Sequence, residues 1–180
     1  MAALQPNDAR FLLDFLLPQL KSEHAVTRRI FSALPLDGGS YRPSPKAMSA
    51  FELVRHIAIC DLWFLDAIIN GQFDDAAMPP ATATTCQDVG AWYAENFSPR
   101  VERVQQLSGV ELAREFDYIG LRHDPAVAYL NIAIRHTAHH RGQLSAYLRA
   151  MGARVPAIYV ESADEPYPTD DGSIVVPPAF

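Results

Sequence analysis

Three of the chain's six histidines lie in one short segment, which reads His136-Thr137-Ala138-His139-His140. If this segment is helical, at about 100° per residue, His136 and His140 lie about 40° apart on an apolar face, whereas His139 points to the other side. Two imidazoles at this spacing can place their ring nitrogens about 2 Å from one divalent ion. The alternative is a pair of core histidines hydrogen-bonded to backbone or solvent, but two buried rings without a partner are costly. We therefore expect His139 to be exposed and His140 to be buried.

A third ligand would have to come from another helix, and His56 is the leading candidate. It lies at the edge of an apolar face in the segment that follows Ser49. Cys60, four residues later, is a competing ligand, although a small buried cysteine is commonly core filler. His24 is interpreted as a satisfied core histidine rather than a partner of the site, and His123 as an exposed loop residue.

The histidines require helices to position them, and the first two helices are clear in the sequence. The first is predicted from about Asp8 to Leu34, before Pro35. Its apolar stripe, spaced alternately by four and three residues as in a bundle seam, comprises Leu13, Leu17, Leu20, His24, Thr27 and Phe31. The second helix opens with a capping box, Ser49 to Glu52, and ends at Gly71, a residue suited to the left-handed conformation after a helix.

Two further helices and an irregular tail complete the prediction. The third helix runs from Thr85, with Pro99 as a predicted kink, to about Leu107. The fourth begins with Asp124 as N-cap and Pro125 as the first helical residue, and runs to about Ala150. No convincing alternating strand is visible. The sequence therefore predicts an all-α protein, a four-helix up-down bundle over residues 1–165, followed by a Pro-rich C-terminal tail over residues 166–180.

Composition and charge limit the functions that this chain can have. With 180 residues and 49% hydrophobic side chains, it can bury the core of one domain. A net charge of -6 argues against a nucleic-acid surface. Charged residues interrupt the apolar run near the N-terminus, so we expect neither a signal peptide nor a membrane span. Two cysteines without CxxC spacing indicate a reduced, cytoplasmic protein.

The histidine segment resembles a known family. The residues His136 to Leu144, His-Thr-Ala-His-His-Arg-Gly-Gln-Leu, are similar to the fourth-helix motif of the DinB family, H-x-x-x-H-R-G-Q-L. The residues Val155 to Tyr159 and Ser162 to Glu165 resemble the stretch after that helix in many members. The segment from Ser49 to Ile57 resembles the family's second-helix motif, in which a histidine follows a capped start.

The resemblance implies a four-helix bundle of DinB type with a divalent metal, zinc, nickel or iron, held by His56, His136 and His140. Relatives in the family include thiol-dependent S-transferases and maleylpyruvate isomerase, and many members have no assigned activity. The implied partner is a small-molecule thiol or another small substrate. A homodimer is compatible with this interpretation, whereas nucleic acid and membrane are not.

Three histidines with open coordination positions form the pattern of a catalytic metal site rather than a structural one. The function predicted is thus a metal-dependent enzyme, an S-transferase or a hydrolase. The alternatives are a non-catalytic metal-binding or stress-response protein and a plain structural bundle. Tyr147, Gln143 and Arg141 are candidates to assist the site, with a structural role equally open for Arg141. The sequence assigns no catalytic residue.

Overall fold

Capping boxes begin three of the five α-helices of the described residues. The structure is a computed structural model that describes residues 3–166. Its helices are α1 (Pro6–Ala33), α2 (Ala50–Asn70), α3 (Cys86–Gln106), the short α4 (Gly109–Ala113) and α5 (Ala128–Ala150), with a 3-10 turn at Gly38–Ser40. Two strands, β1 (Glu115–Tyr118) and β2 (Arg122–Pro125), pair in an antiparallel hairpin.

The predicted start and end of α2 are confirmed. The Ser49 side chain accepts from the backbone N–H of Glu52 at 3.2 Å, and the Glu52 carboxylate accepts from the backbone N–H of Ser49 at 2.6 Å. Gly71 follows the helix with φ of 78°, a left-handed conformation that costs glycine little. An equivalent capping box of Thr85 and Asp88 begins α3, which continues through Pro99 to Gln106.

The four long helices share one core. In it α1 packs against α3 and α5, and α2 packs against the same two helices. All the residues predicted for the α1 stripe are buried: Leu13, Leu17, Leu20, His24, Thr27 and Phe31. Within residues 3–166, no helix combines the length and apolar character needed to cross a membrane.

The predicted start of the fourth helix at Asp124 was wrong. Asp124 and Pro125 belong to strand β2 rather than to a helix start, and α5 begins at Ala128 after a residue that makes no side-chain cap. The hairpin turns at Gly120 (φ 74°), whose backbone N–H donates to Asp117 Oδ2 at 2.6 Å. Phe116 anchors it by packing against Tyr129, with ring centroids 4.7 Å apart. This tertiary contact outweighs the local capping signal at Asp124.

After α5, the chain returns along α1. Gly152 takes the left-handed conformation that is common after a helix, with φ of 69°. Val155 is buried, and the guanidinium of Arg29 donates to the backbone carbonyl of Ala157 at 3.1 Å. This segment is therefore packed on the helices. Of the predicted Pro-rich tail, 166–180, all but Pro166 lies outside the described residues.

Candidate metal centre

Helices α2 and α5 bring together His56, His136 and His140, which we call the histidine cluster. His56 comes from α2, and the other two lie one turn apart on α5. His56 Nε2 is 2.9 Å from His136 Nε2 and 3.2 Å from His140 Nε2. The ligand atoms of all three residues lie within 4.8 Å of one another, and the three side chains are half-buried. All three histidines predicted as ligands thus meet at one point.

The geometry and chemistry of these donors fit a metal ion. Nitrogens bound to one ion at about 2.0–2.1 Å are about 2.8–3.4 Å apart when they are adjacent ligands in octahedral or tetrahedral geometry. Hydrogen bonding alone accounts for the cluster poorly. A neutral imidazole nitrogen has either one proton or one lone pair, so His56 Nε2 cannot make two good hydrogen bonds with two other ring nitrogens. A cation among the three lone pairs satisfies all of them.

The cluster also favours the neutral rings that metal binding requires. Burial lowers the pKa of His136 from 6.5 to about 4, with further lowering from the neighbouring His140, His56 and His139. Burial, followed by the proximity of His140, lowers the pKa of His56 as well. At neutral pH these two rings therefore carry lone pairs, the form in which histidine ligates a metal.

Outer contacts orient two of the three rings. His140 Nδ1 donates to Gln143 Oε1 at 2.8 Å, and in the neutral tautomer that makes this bond the lone pair is on Nε2, which is directed into the cluster. Cys60 Sγ lies 3.6 Å from His56 Nδ1 and 4.0 Å from its Nε2. Such partners fix the tautomer of a metal-binding histidine. Gln143, which the sequence suggested as an assisting residue, thus contacts a ligand directly.

Cys60 itself is not among the clustered ligand atoms. In residues 3–166, the cluster that could hold a metal consists of the three histidines. Burial, with a smaller effect from Asp61, raises the pKa of the Cys60 thiol to about 12. In the side-chain conformation that the structure shows, Cys60 is therefore not a ligand of the cluster.

The angular sorting of the adjacent histidines is right for His139 and only partly right for His140. His139 is exposed as expected, but His140 is half-buried rather than buried. The fully buried stripe of α5 includes Thr137, Arg141 and Leu144, so its first two members each lie one residue after a histidine of the cluster. The reason is that α5 turns Thr137 and Arg141 toward the core, so the cluster lies at the edge of the buried face.

Arg141 and its neighbours form a second polar group, which we call the buried polar layer: Glu23, Asp61, Tyr93, Thr137 and Arg141. Arg141 is 1% exposed and forms an ion pair with Glu23 of α1. Asp61 accepts hydrogen bonds from the Tyr93 and Thr137 hydroxyls. Of the two roles left open for Arg141, the structure shows the structural one. Sequence reasoning missed Asp61, although an acidic residue inside the apolar run Ile57–Leu65 was a usable signal.

The remaining candidates lie away from the cluster. The ring of His24 stacks on Phe97 with centroids 3.7 Å apart, and its Nε2 is buried without a hydrogen-bond partner among residues 3–166. It is a core histidine as expected, but not a satisfied one. His123 is exposed on β2 rather than in a loop. The Tyr147 hydroxyl donates to the backbone carbonyl of Met48 at 3.1 Å.

Helices α2 and α5 of this helical core contribute three converging histidines. Comparison with known proteins identifies the family to which the chain belongs. The DinB family model matches residues 11–171, and the chain belongs to the DinB family. YjoA of Bacillus subtilis (strain 168), an uncharacterized protein, is 31% identical over 134 residues, which cover 73% of this chain and 85% of YjoA.

Solved structures agree with this assignment. The crystal structure of YjoA, a DinB-like protein, superposes with a TM-score of 0.65 at 29% identity, covering 79% of this chain and 96% of that one. A DinB-like protein from Bacillus cereus ATCC 10987 has a TM-score of 0.62 at 21% identity, covering 82% and 97%. The second likeness concerns the fold alone.

Proposed function

We propose that this protein binds one divalent metal ion, zinc, nickel or iron, through His56, His136 and His140. In this proposal the four long helices act as a four-helix up-down bundle that supports the ion. The observation that carries it is the convergence of three Nε2 atoms, with His56 Nε2 at 2.9 and 3.2 Å from the other two. The lowered pKa of His136 and of His56 supports the proposal, because both rings are neutral at physiological pH.

We further propose that the site is catalytic, as a thiol S-transferase or a hydrolase. Three protein ligands leave coordination positions open, which is the pattern of catalytic rather than structural sites. A bound ion would supply either a water with a lowered pKa or a coordination position for a thiolate. The three histidines are half-buried rather than fully enclosed in the core, which is compatible with the access that a small substrate requires.

The chain's own residues then have supporting tasks. Gln143 holds His140 in the tautomer that directs Nε2 inward. Burial and Asp61 keep Cys60 protonated, with a pKa of about 12, so the nucleophile in this proposal is an external small-molecule thiol or water. Cys60 and Cys86 are both free thiols, which fits the reducing cytoplasm as the proposed compartment.

One observation favours a second candidate, a non-catalytic metal-binding or stress-response protein. Cys60 Sγ is only 4.0 Å from His56 Nε2, so a change in its side-chain rotamer could bring a fourth ligand and close the site. Closed four-ligand sites are structural rather than catalytic. Cys60→Ala separates the two candidates, since metal binding that depends on this thiol favours the second.

The first experiment is elemental analysis of protein purified without an affinity tag, followed by a thiol-conjugation screen. We expect about one transition-metal ion per chain for a single site, and its loss in His136→Ala. Conjugation of a low-molecular-weight thiol that requires the metal would support the S-transferase. Metal content that is absent, or that is unchanged in His136→Ala, would contradict the proposal at its first step.

A further inference from the structure

Asp61 connects three of the long helices from inside the core. It lies on α2, the helix that contributes His56, and is 2% exposed. Its Oδ1 accepts a hydrogen bond from the Thr137 hydroxyl of α5, and its Oδ2 accepts one from the Tyr93 hydroxyl of α3. Both carboxylate oxygens therefore have a partner on a different helix.

The hydrogen bond between Asp61 and Thr137 joins α2 to α5 next to the histidine cluster. Thr137 lies in the turn between His136 and His140. Among residues 3–166, the side-chain hydrogen bonds between α2 and α5 are the two contacts within the histidine cluster and this one. Apolar packing is non-directional, whereas a hydrogen bond requires a defined distance and angle. The Asp61–Thr137 bond is thus the polar contact that can fix the register of these two helices.

Register matters here because the three ligands are divided between the helices. His56 moves with α2, and His136 and His140 move with α5. A metal site requires donor atoms placed within about 0.2 Å of their ideal distances. A small slide of one helix along the other would therefore separate His56 from its two partners, although the apolar core could tolerate it.

We propose that Asp61 is a positioning residue of the metal site, which through Thr137 holds His56 in register with His136 and His140. This inference rests on the proposed function, since it concerns the binding of an ion by these ligands. A buried carboxylate is a costly way to join helices, and a need for fixed ligand geometry explains its presence. The position of Thr137 beside the ligands distinguishes this bond from the Tyr93 bond, whose helix carries no ligand.

Thr137→Val tests the inference, because it keeps the side-chain shape and removes the hydroxyl. The metal-free full chain is titrated with Co²⁺, and both the affinity and the visible absorption spectrum are recorded. We expect Thr137→Val to weaken Co²⁺ binding by about 10- to 100-fold, as the loss of outer contacts to metal ligands typically does, and to alter the spectrum. Thr137→Ser keeps the hydroxyl and should restore both.

Tyr129→Phe is the matched control, because it removes another buried hydroxyl from α5, which donates to the backbone carbonyl of Phe116 at 2.7 Å. It should lower stability, through the loss of one buried hydrogen bond, and leave the Co²⁺ affinity and spectrum as in wild type. If Thr137→Val does not fold, Asp61→Asn is measured in its place. Wild-type affinity and spectrum in the Thr137 or Asp61 variant would overturn the inference. A wild-type chain that fails to bind Co²⁺ would instead overturn the proposed function.

Discussion

Two polar groups lie side by side on α5, and their difference separates a binding site from a structural element. The buried polar layer uses Thr137 and Arg141, which are 1% exposed and have complementary partners, a carboxylate for each. The histidine cluster uses His136 and His140, which are half-buried and face another histidine. Both groups have the same spacing of four residues. In the buried polar layer, hydrogen-bond donors and acceptors satisfy one another. In the histidine cluster, three imidazole nitrogens face one another, and their lone pairs need a cation to bind.

The largest expected effect comes from breaking the buried polar layer. Arg141→Met keeps an unbranched apolar stem but removes the guanidinium, and so leaves Glu23, whose side chain is only 12% exposed, without its cation. We expect the free energy of unfolding, measured with urea and a chelator, to fall by about 3–5 kcal/mol. The double variant Glu23→Gln/Arg141→Met should recover part of this loss. A loss below about 1 kcal/mol, the size of a surface ion pair, would show that the buried polar layer does not stabilise the fold.

Breaking the cluster should affect metal binding. His140→Ala is expected to abolish bound metal, and with it the stabilisation of about 2.7–4.1 kcal/mol that a ligand gives at 100 to 1,000 times its Kd. His139→Ala, at the adjacent exposed position, should retain the metal and change stability by less than about 0.5 kcal/mol. Metal content and unfolding with and without Zn²⁺ are the measurements. The reverse result would mean that α5 is rotated about its axis relative to this structure.

His24 adds a further case to the comparison, because it is buried but belongs neither to the buried polar layer nor to the histidine cluster. Burial, with a smaller effect from Arg28, lowers its pKa from 6.5 to about 4. The unfolded chain therefore binds more protons between these pH values, so stability rises with pH across this window. The contribution of His24 is complete above pH 6.5 and is lost as pH falls toward 4, by up to about 3 kcal/mol.

His24→Phe removes the titration and retains an aromatic ring against Phe97. In the presence of chelator, the stability of this variant should depend less on pH between about 4 and 6.5 than that of wild type. Urea unfolding at a series of pH values gives both curves. Parallel curves would mean that His24 does not titrate with an altered pKa.

The smallest effect is expected at Gln143, which contacts the cluster from its exposed side. Gln143→Leu removes the acceptor for His140 Nδ1 and should weaken metal binding by about 10- to 100-fold, without a comparable change in metal-free stability. Gln143→Glu keeps an acceptor and serves as the control. Competition with a chromophoric chelator measures both affinities. Equal metal affinities for wild type and Gln143→Leu would mean that the Gln143 amide does not orient the His140 ring for metal binding.

Much of this organisation could be predicted from local sequence. The capping boxes at Ser49 and Thr85 are short-range signals, and they place the starts of α2 and α3 correctly. The spacing of His136 and His140 follows from helix geometry, although their half-burial does not. The third proposed ligand, His56, could not be placed beside the other two from helix geometry alone, because its position depends on how α2 packs against α5. There the resemblance to a family supported the choice of His56.

The remaining features depend on contacts between distant residues. The hairpin strands have four residues each, too few to show a clear alternation, and Phe116 holds them through packing on Tyr129. Asp124 looked like a helix cap because capping residues also occur in turns. The ion pair of Arg141 with Glu23 joins two helices from distant parts of the chain, so no local pattern could have predicted it.

The central claim, that His56, His136 and His140 hold one metal ion between two helices, is tested most directly by thermal unfolding. Wild type and His56→Ala are compared with Zn²⁺ or Ni²⁺ and with a chelator. We expect the metal to raise the Tm of wild type by several degrees, since about 1 kcal/mol corresponds to about 2–4 °C at this chain length. His56→Ala should show the same Tm under both conditions. A wild-type Tm that does not respond to metal, or an equal rise in His56→Ala, would contradict the account.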